Sequence, residues 1–207
     1  ELFKSETKNP ENELLTGGWS QLKQIMTPIL ITLFGMIFVA SFGLAGFESI
    51  YSLYVNEVHN FDLNAIALVL TLNGIISLIL QVFFFDRLVR WLGEVRLMRY
   101  SFFLSLVGTI MVIYDHNHWH IIIATLFVFE AFDLLRPTIT TLLTKMSKTN
   151  QGLLNGVNMS LTSVGNIIGP LISGYLLDVN YQYPYWFVSI FLIISWVITL
   201  VLGRERK

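Results

Sequence analysis

The sequence predicts an all-α membrane protein built on six transmembrane helices. Three observations carry that reading. Apolar residues make up 54% of the chain and charged residues only 13%; soluble domains carry about 25% charged residues, and fewer cannot cover a water-facing surface. Six apolar runs lie at about 25–54, 63–85, 96–114, 119–143, 153–177 and 184–203, separated by short polar connectors, and each approaches or exceeds the roughly 20 residues that cross a bilayer. The cations, finally, alternate from one connector to the next. Only helices and closed barrels satisfy every backbone group in lipid, and continuous apolar runs lack the two-residue alternation of barrel strands.

Residues 1–23 are polar, with Lys4, Glu6, Lys8, Asn9-Pro10, Glu11, Glu13 and Gly17-Gly18, and read as a cytoplasmic linker. Opening on Glu1-Leu2-Phe3-Lys4, without an initiator methionine or a signal peptide, the chain reads as a piece of something longer. Residues 24–203 form the six-helix unit, whose first run is longer than a bilayer requires and is expected to tilt or protrude. Residues 204–207 form a cytoplasmic tail. Of 13 Lys and Arg, Lys4, Lys8 and Lys23 precede the first run, and Arg87, Arg90, Arg96 and Arg99 surround the second connector. Lys145 and Lys148 lie in the fourth connector, Arg204, Arg206 and Lys207 end the chain, and the first, third and fifth connectors hold none. Positive charge marks the cytoplasmic side, so both termini are placed there.

A weak internal repeat accompanies this pattern. Phe47-Glu48-Ser49-Ile50 in the first run matches Phe132-Asp133-Leu134-Leu135 in the fourth. Asn73-Gly74-Ile75-Ile76 in the second matches Asn166-Ile167-Ile168-Gly169 in the fifth. With the charge-derived orientation the two triplets are inverted copies, an arrangement of one large class of secondary transporter.

Several functions are disfavoured. A net charge of −1 provides no basic patch for nucleic acid. The absence of cysteine removes disulfides, thiolate metal sites and thiol nucleophiles. No phosphate-binding lysine loop, intramembrane Gly-Asp protease pair or nucleophile elbow occurs, so the chain does not read as an enzyme, and no cofactor is expected. His116-Asn117-His118-Trp119-His120 lies at an outer connector with Asp115 as its only nearby carboxylate and is not read as a metal site.

The chemistry concentrates in Glu48, Glu130, Asp133 and Arg136, the ionisable residues placed deep in the apolar runs. Such groups cost about 2.5–3.5 kcal/mol each even on lenient insertion scales, and by default they mark a solute or proton path. Helical spacing puts Phe129, Asp133, Arg136 and Thr140 on one stripe, with Glu130 about 60° to its side. A buried Asp133–Arg136 pair that merely holds helices together is the structural alternative. Desolvation favours a neutral acid and a nearby guanidinium favours a carboxylate, so a group balanced between the two can exchange a proton during transport. Pro137 removes a helix hydrogen bond beside this cluster. Phe42, Phe47, Tyr51, Phe129 and Phe132 flank the acids and are candidates to hold a flat cation. In the fifth run, Asn155, Asn158, Thr162, Asn166, Gly169 and Ser173 form a polar and small stripe, while Gly165, Gly169 and Gly174 suit close helix packing. Asp86 and Arg90 are spaced for a local charge pair beyond the second run.

Ser41-Phe42-Gly43-Leu44 with Phe47-Glu48, Tyr51-Ser52-Leu53-Tyr54, Phe84-Phe85-Asp86, Phe132-Asp133 with Arg136-Pro137, Gln151-Gly152, and Gly165-Asn166 with Ile168-Gly169-Pro170-Leu171-Ile172 recur in this order over nearly the whole chain. Together they resemble the second half of a drug–proton antiporter of the major facilitator superfamily. The resemblance implies helices seven to twelve of a twelve-helix fold, partnered by an N-terminal six-helix half in a bacterial cytoplasmic membrane. It implies Glu48, Asp133 and Arg136 in proton coupling, with protons as the coupling ion, and Leu70, Gly74, Phe129 and Asn166 against small amphiphilic drugs. Phe47 and Tyr51 join that drug-binding set. Asp86, Arg87, Arg90, Gly93 and Arg96 resemble the family's cytoplasmic loop motif. Glu130 departs from the family pattern, which has an apolar residue there, and joins the proton-coupling set as an extra acid. A facilitator for one sugar or metabolite, or a six-helix scaffold that transports nothing, are the alternative functions.

Overall fold

A computed structural model of the chain describes residues 26–115, 117–146 and 150–202. The linker, the tail, Lys148, His116 and the terminal cations lie outside the described residues. Six helical spans follow in order: α1 Pro28–His59, α2 Leu63–Leu92, α3 Glu94–Tyr114, α4 His118–Met146, α5 Gln151–Val179 and α6 Tyr183–Leu202. All but α4 are long and apolar enough to cross a membrane by length and composition. The sixth span, α4, is 29 residues long and carries Glu130, Asp133 and Arg136 near its middle. Among the described residues there is no strand.

Thr27 caps α1 by accepting the Leu30 amide at 3.3 Å, and Pro28 fills the first turn, where its missing N–H costs nothing. Asn60, at φ 54°, ends the helix in a left-handed turn that asparagine tolerates. With 32 residues α1 spans about 48 Å at 1.5 Å per residue, longer than a hydrocarbon core of about 30 Å. The second connector differs from expectation. Residues 86–92 are helical, and only Gly93, at φ 76°, separates α2 from α3. Asp86, Arg87 and Arg90 stay exposed, so polarity did not mark the end of the helix. Part of the explanation lies in Leu80–Phe84, a π-turn through which α2 continues with a shifted face.

The helices pack unequally. Along the α1–α5 crossing, a Cβ built on Gly165 would lie 2.9 Å from the Phe42 nitrogen, and one on Gly169 2.6 Å from the Phe42 carbonyl oxygen. Only glycine permits that approach, and close backbone contact is what binds helices where the hydrophobic effect is absent. Gly46 faces Ser173 from the other side. Gly174, expected at a packing face, has nothing within 4 Å of a built Cβ. Gly108 of α3 packs as tightly, its built Cβ falling 2.5 Å from a methyl of Val128 on α4. Long apolar faces of α2 and α5 remain exposed, among them Leu68, Ile75, Ile79, Met159, Ile167 and Leu171.

At the end where α2 meets α3, Lys145 of α4 pairs with Glu94 of α3. Arg99 donates to the Thr199 carbonyl of α6 at 2.9 Å. No ion pair within 4 Å joins Asp86 to Arg90 among the described residues, so the spacing alone did not produce that contact.

Candidate functional site

The polar residues of α4 meet two other helices rather than each other. Ser77 of α2 donates to Asp133 Oδ2 at 2.7 Å, and Gln81, one turn further on, donates to the Ser77 oxygen at 2.9 Å. Arg136 turns the other way and donates to Asn166 Oδ1 of α5 at 2.7 Å. A third contact, from Asn158 Nδ2 to Thr140 Oγ1 at 2.9 Å, continues the α4–α5 seam toward the Lys145 end. No hydrogen bond or ion pair within 4 Å links Asp133 to Arg136 among the described residues. Asp133 and Arg136 therefore each bond a different helix, while their charges still act on one another without direct contact.

Asp133 and Arg136 are half-buried, and Asn166, Leu70 and Gly74 are exposed beside them. Leu70, Gly74, Ser77 and Gln81 are spaced by four, three and four residues, one stripe of α2 facing the seam. Ser77 and Gln81 were not among the residues expected at the site. Their signal was this stripe, which continues from Leu70 and Gly74 directly to them. Glu48 lies exposed on α1, and its charge acts on Arg136 across the opening. Arg136 and Asn166 thus meet at the seam, Leu70 and Gly74 share the α2 stripe of Ser77, which bonds Asp133, and Glu48 reaches Arg136 through its charge.

The aromatic residues fall elsewhere. Phe47, Tyr51 and Phe129 are at most 2% exposed. Phe47 stacks on Tyr51 at 5.9 Å, meets Phe129 edge-on at 5.3 Å and touches Tyr185 at 5.2 Å. Tyr54 closes the cluster against Tyr185 at 4.5 Å. In this arrangement the three form the solid interior of the bundle, where rings fill space best, and they back the open face rather than line it. This corrects their placement as ligand-facing residues.

Glu130 is separated from the seam as well. It is 7% exposed, neither carboxylate oxygen has a hydrogen-bond partner, and it lines a cavity between α2, α3 and α4. Its expected membership of the proton-coupling cluster becomes membership of a different face of α4, with Asp133 the charge that acts on it. In the outer connector, His120 contacts Asp115 at 2.9 Å and His118 stacks on Phe61. The described residues assemble no group of three metal-ligating side chains.

Backbone irregularities coincide with the polar residues. A proline leaves the carbonyl four residues before it without a helix N–H. Pro137 does this to Asp133 and Pro170 does it to Asn166. The π-turn of α2 begins three residues after Ser77. The helices α2, α4 and α5 are therefore each weakened within about one turn of the side chain they contribute.

Residues 33–207 match the Major Facilitator Superfamily model. The chain is 39% identical over 193 residues to multidrug resistance protein 1 of Bacillus subtilis, covering 93% of this chain and 50% of that protein. It is 33% identical over 198 residues to the quinolone resistance protein NorA of Staphylococcus aureus, covering 95% of this chain and 49% of that protein. Multidrug resistance protein 2 of B. subtilis is 35% identical over 190 residues, 90% of this chain and 46% of that protein. The chain spans about half the length of these relatives. With six helices, a polar seam near the middle of α4 and a family match over most of its length, the chain belongs to the major facilitator superfamily.

Proposed function

We propose that this chain is the C-terminal half of a multidrug efflux antiporter driven by protons. The observation that carries the reading is the Gln81–Ser77–Asp133 and Arg136–Asn166 pair of contacts, which puts exchangeable polar groups on a face open for a second bundle. Protons entering from outside would neutralise Asp133 and Glu48 and release the drug. Deprotonation toward the cytoplasm would restore charges that attract a cationic or zwitterionic amphiphile. Each charge moved across 100 mV corresponds to about 2.3 kcal/mol.

In this reading the partner is an N-terminal six-helix half, and alternating access rocks one bundle on the other. Leu70, Gly74 and Asn166 contact the drug, Phe47, Tyr51 and Phe129 support the wall behind them, and protons serve as the coupling ion without a further cofactor. The Asp86–Arg96 segment anchors the cytoplasmic side of a bacterial cell membrane, where both ends of this chain lie. The protein transports rather than catalyses.

The test is dye efflux in everted vesicles carrying the complete transporter. Asp133→Asn and Glu48→Gln should each abolish ethidium movement driven by an imposed pH gradient, with unchanged amounts of protein in the membrane. Wild-type rates in both variants would overturn the proton-coupling assignment. Protonophore-insensitive uptake of a single polar solute would instead identify a substrate-specific facilitator.

A further inference from the structure

The cavity on the other face of α4 has its own chemistry. It measures about 430 Å³ and is enclosed by Ile76 and Leu80 of α2, Leu97 and Ser101 of α3, and Leu126 and Leu134 of α4. That size lies within the usual range for small-molecule sites, roughly 300–1,000 Å³. Its rim, with Tyr100, Leu104, Ile123 and Phe127, is exposed and apolar, the character of an opening onto lipid. Among the described residues Glu130 is the one carboxylate in the lining and no lysine, arginine or histidine lines it; the accessible wall is apolar, and the two Glu130 oxygens lie just behind it. The Glu130 side chain is buried with both oxygens lacking any hydrogen bond.

A buried acid in such surroundings is costly unless something compensates it. Asp133, its charged neighbour, repels rather than compensates, and among the described residues no cationic side chain pairs with Glu130. Nothing else among the described residues answers the charge. A lipophilic monocation would do so, with its apolar body filling the cavity, the Glu130 carboxylate turning through the apolar wall to meet its charge, and the rings of Tyr100 and Phe127 at the mouth for cation–π contact.

We propose that the α2–α3–α4 cavity is a second, membrane-facing binding site for lipophilic monocations, anchored by Glu130 and distinct from the Asp133–Arg136 seam. The site is defined by equilibrium binding and does not depend on what the seam transports.

The experiment measures tetraphenylphosphonium binding to the complete transporter in lipid nanodiscs, with no ion gradient. The wild type should take up one equivalent that depends on Glu130, additional to any bound at the seam. Glu130→Gln should weaken that equivalent by at least about tenfold, as expected when one partner of a buried charge pair is removed, and Glu130→Asp should retain it. Leu104→Trp, which fills the mouth, should abolish it without changing the charge. In Asp133→Asn the Glu130-dependent equivalent should persist. The proposal is overturned if Glu130→Gln binds the cation as the wild type does, which includes the case of a lipid tail occupying the cavity. It is equally overturned if Asp133→Asn alone removes all binding, because a single site at the seam would then suffice.

Discussion

Two helix crossings related by the inverted repeat are built in opposite ways. Where α1 meets α5, Gly165 and Gly169 bring backbones into direct contact, with no side-chain hydrogen bond across the joint among the described residues. Where α4 meets α2, the corresponding pair in the other triplet, a single strong contact from Ser77 to Asp133 spans a looser approach. The same topology thus contains a fixed joint and an exchangeable one. A glycine crossing resists change because any separation loses dispersion contacts that nothing replaces. A hydroxyl–carboxylate contact can be traded for water, a proton or a ligand at small net cost.

The largest effect should come from breaking the fixed joint. Gly169→Leu places a side chain where a Cβ alone would lie 2.6 Å from the Phe42 oxygen. Overpacking against backbone should cost about 3 kcal/mol or more, and size-exclusion profiles should show no folded transporter. A monodisperse peak with wild-type melting would show that the joint is not fixed. At the exchangeable joint, Asp133→Asn should leave the melting temperature within about 2 °C, a change below about 1 kcal/mol, while gradient-driven efflux disappears. Parallel losses of stability and efflux would erase the distinction between the two crossings.

Arg136→Lys tests the other contact of the seam. It keeps the charge but loses the planar fork that reaches Asn166, so efflux should fall several-fold with expression unchanged. Combining it with Asn166→Ala should add little further loss, since the two share one bond. Ser77→Ala should cost roughly 0.6 kcal/mol in reversible denaturation, the average for a membrane interhelical hydrogen bond, and no more when Asp133 is already Asn. The smallest effect belongs to Gly174→Ala. With open space around its Cβ position, this change should be neutral or stabilise by up to about 1 kcal/mol through helix propensity. Destabilisation there would mean that α5 packs against something on that face as well.

The helices were legible because length and hydropathy are properties of single segments. Neighbour relations were not, and the errors share that cause. Periodicity placed Phe47, Tyr51 and Phe129 beside the acids, yet it could not distinguish the interior of a bundle from its open face, since both avoid lipid. Asp133 and Arg136 stand one turn apart, but which of them faces α2 and which faces α5 depends on how α4 is rotated. That rotation is set by packing such as Gly108 against Val128. Ser77 and Gln81 carried a faint signal through the Leu70–Gly74 stripe, whereas the Lys145–Glu94 pair joins residues 51 positions apart and left none. Glu130 was recognisable as anomalous, and its offset of about 60° from the Asp133 stripe was correctly readable; that this angle opens onto a separate cavity was not.

The broken backbone around the seam has a mechanical consequence. Pro137, Pro170 and the Leu80–Phe84 π-turn lie close to Asp133, Asn166 and Ser77 respectively, and contacts among these helices hold the three weak points near one level. A line through them is the natural axis of flexure for α2, α4 and α5, whereas α1 and α3 run without an internal proline or π-turn. The polar residues therefore sit at a fulcrum, where the arms above and below swing widely while the centre is displaced least. Bending there would leave these side chains nearly in place while the helix ends move.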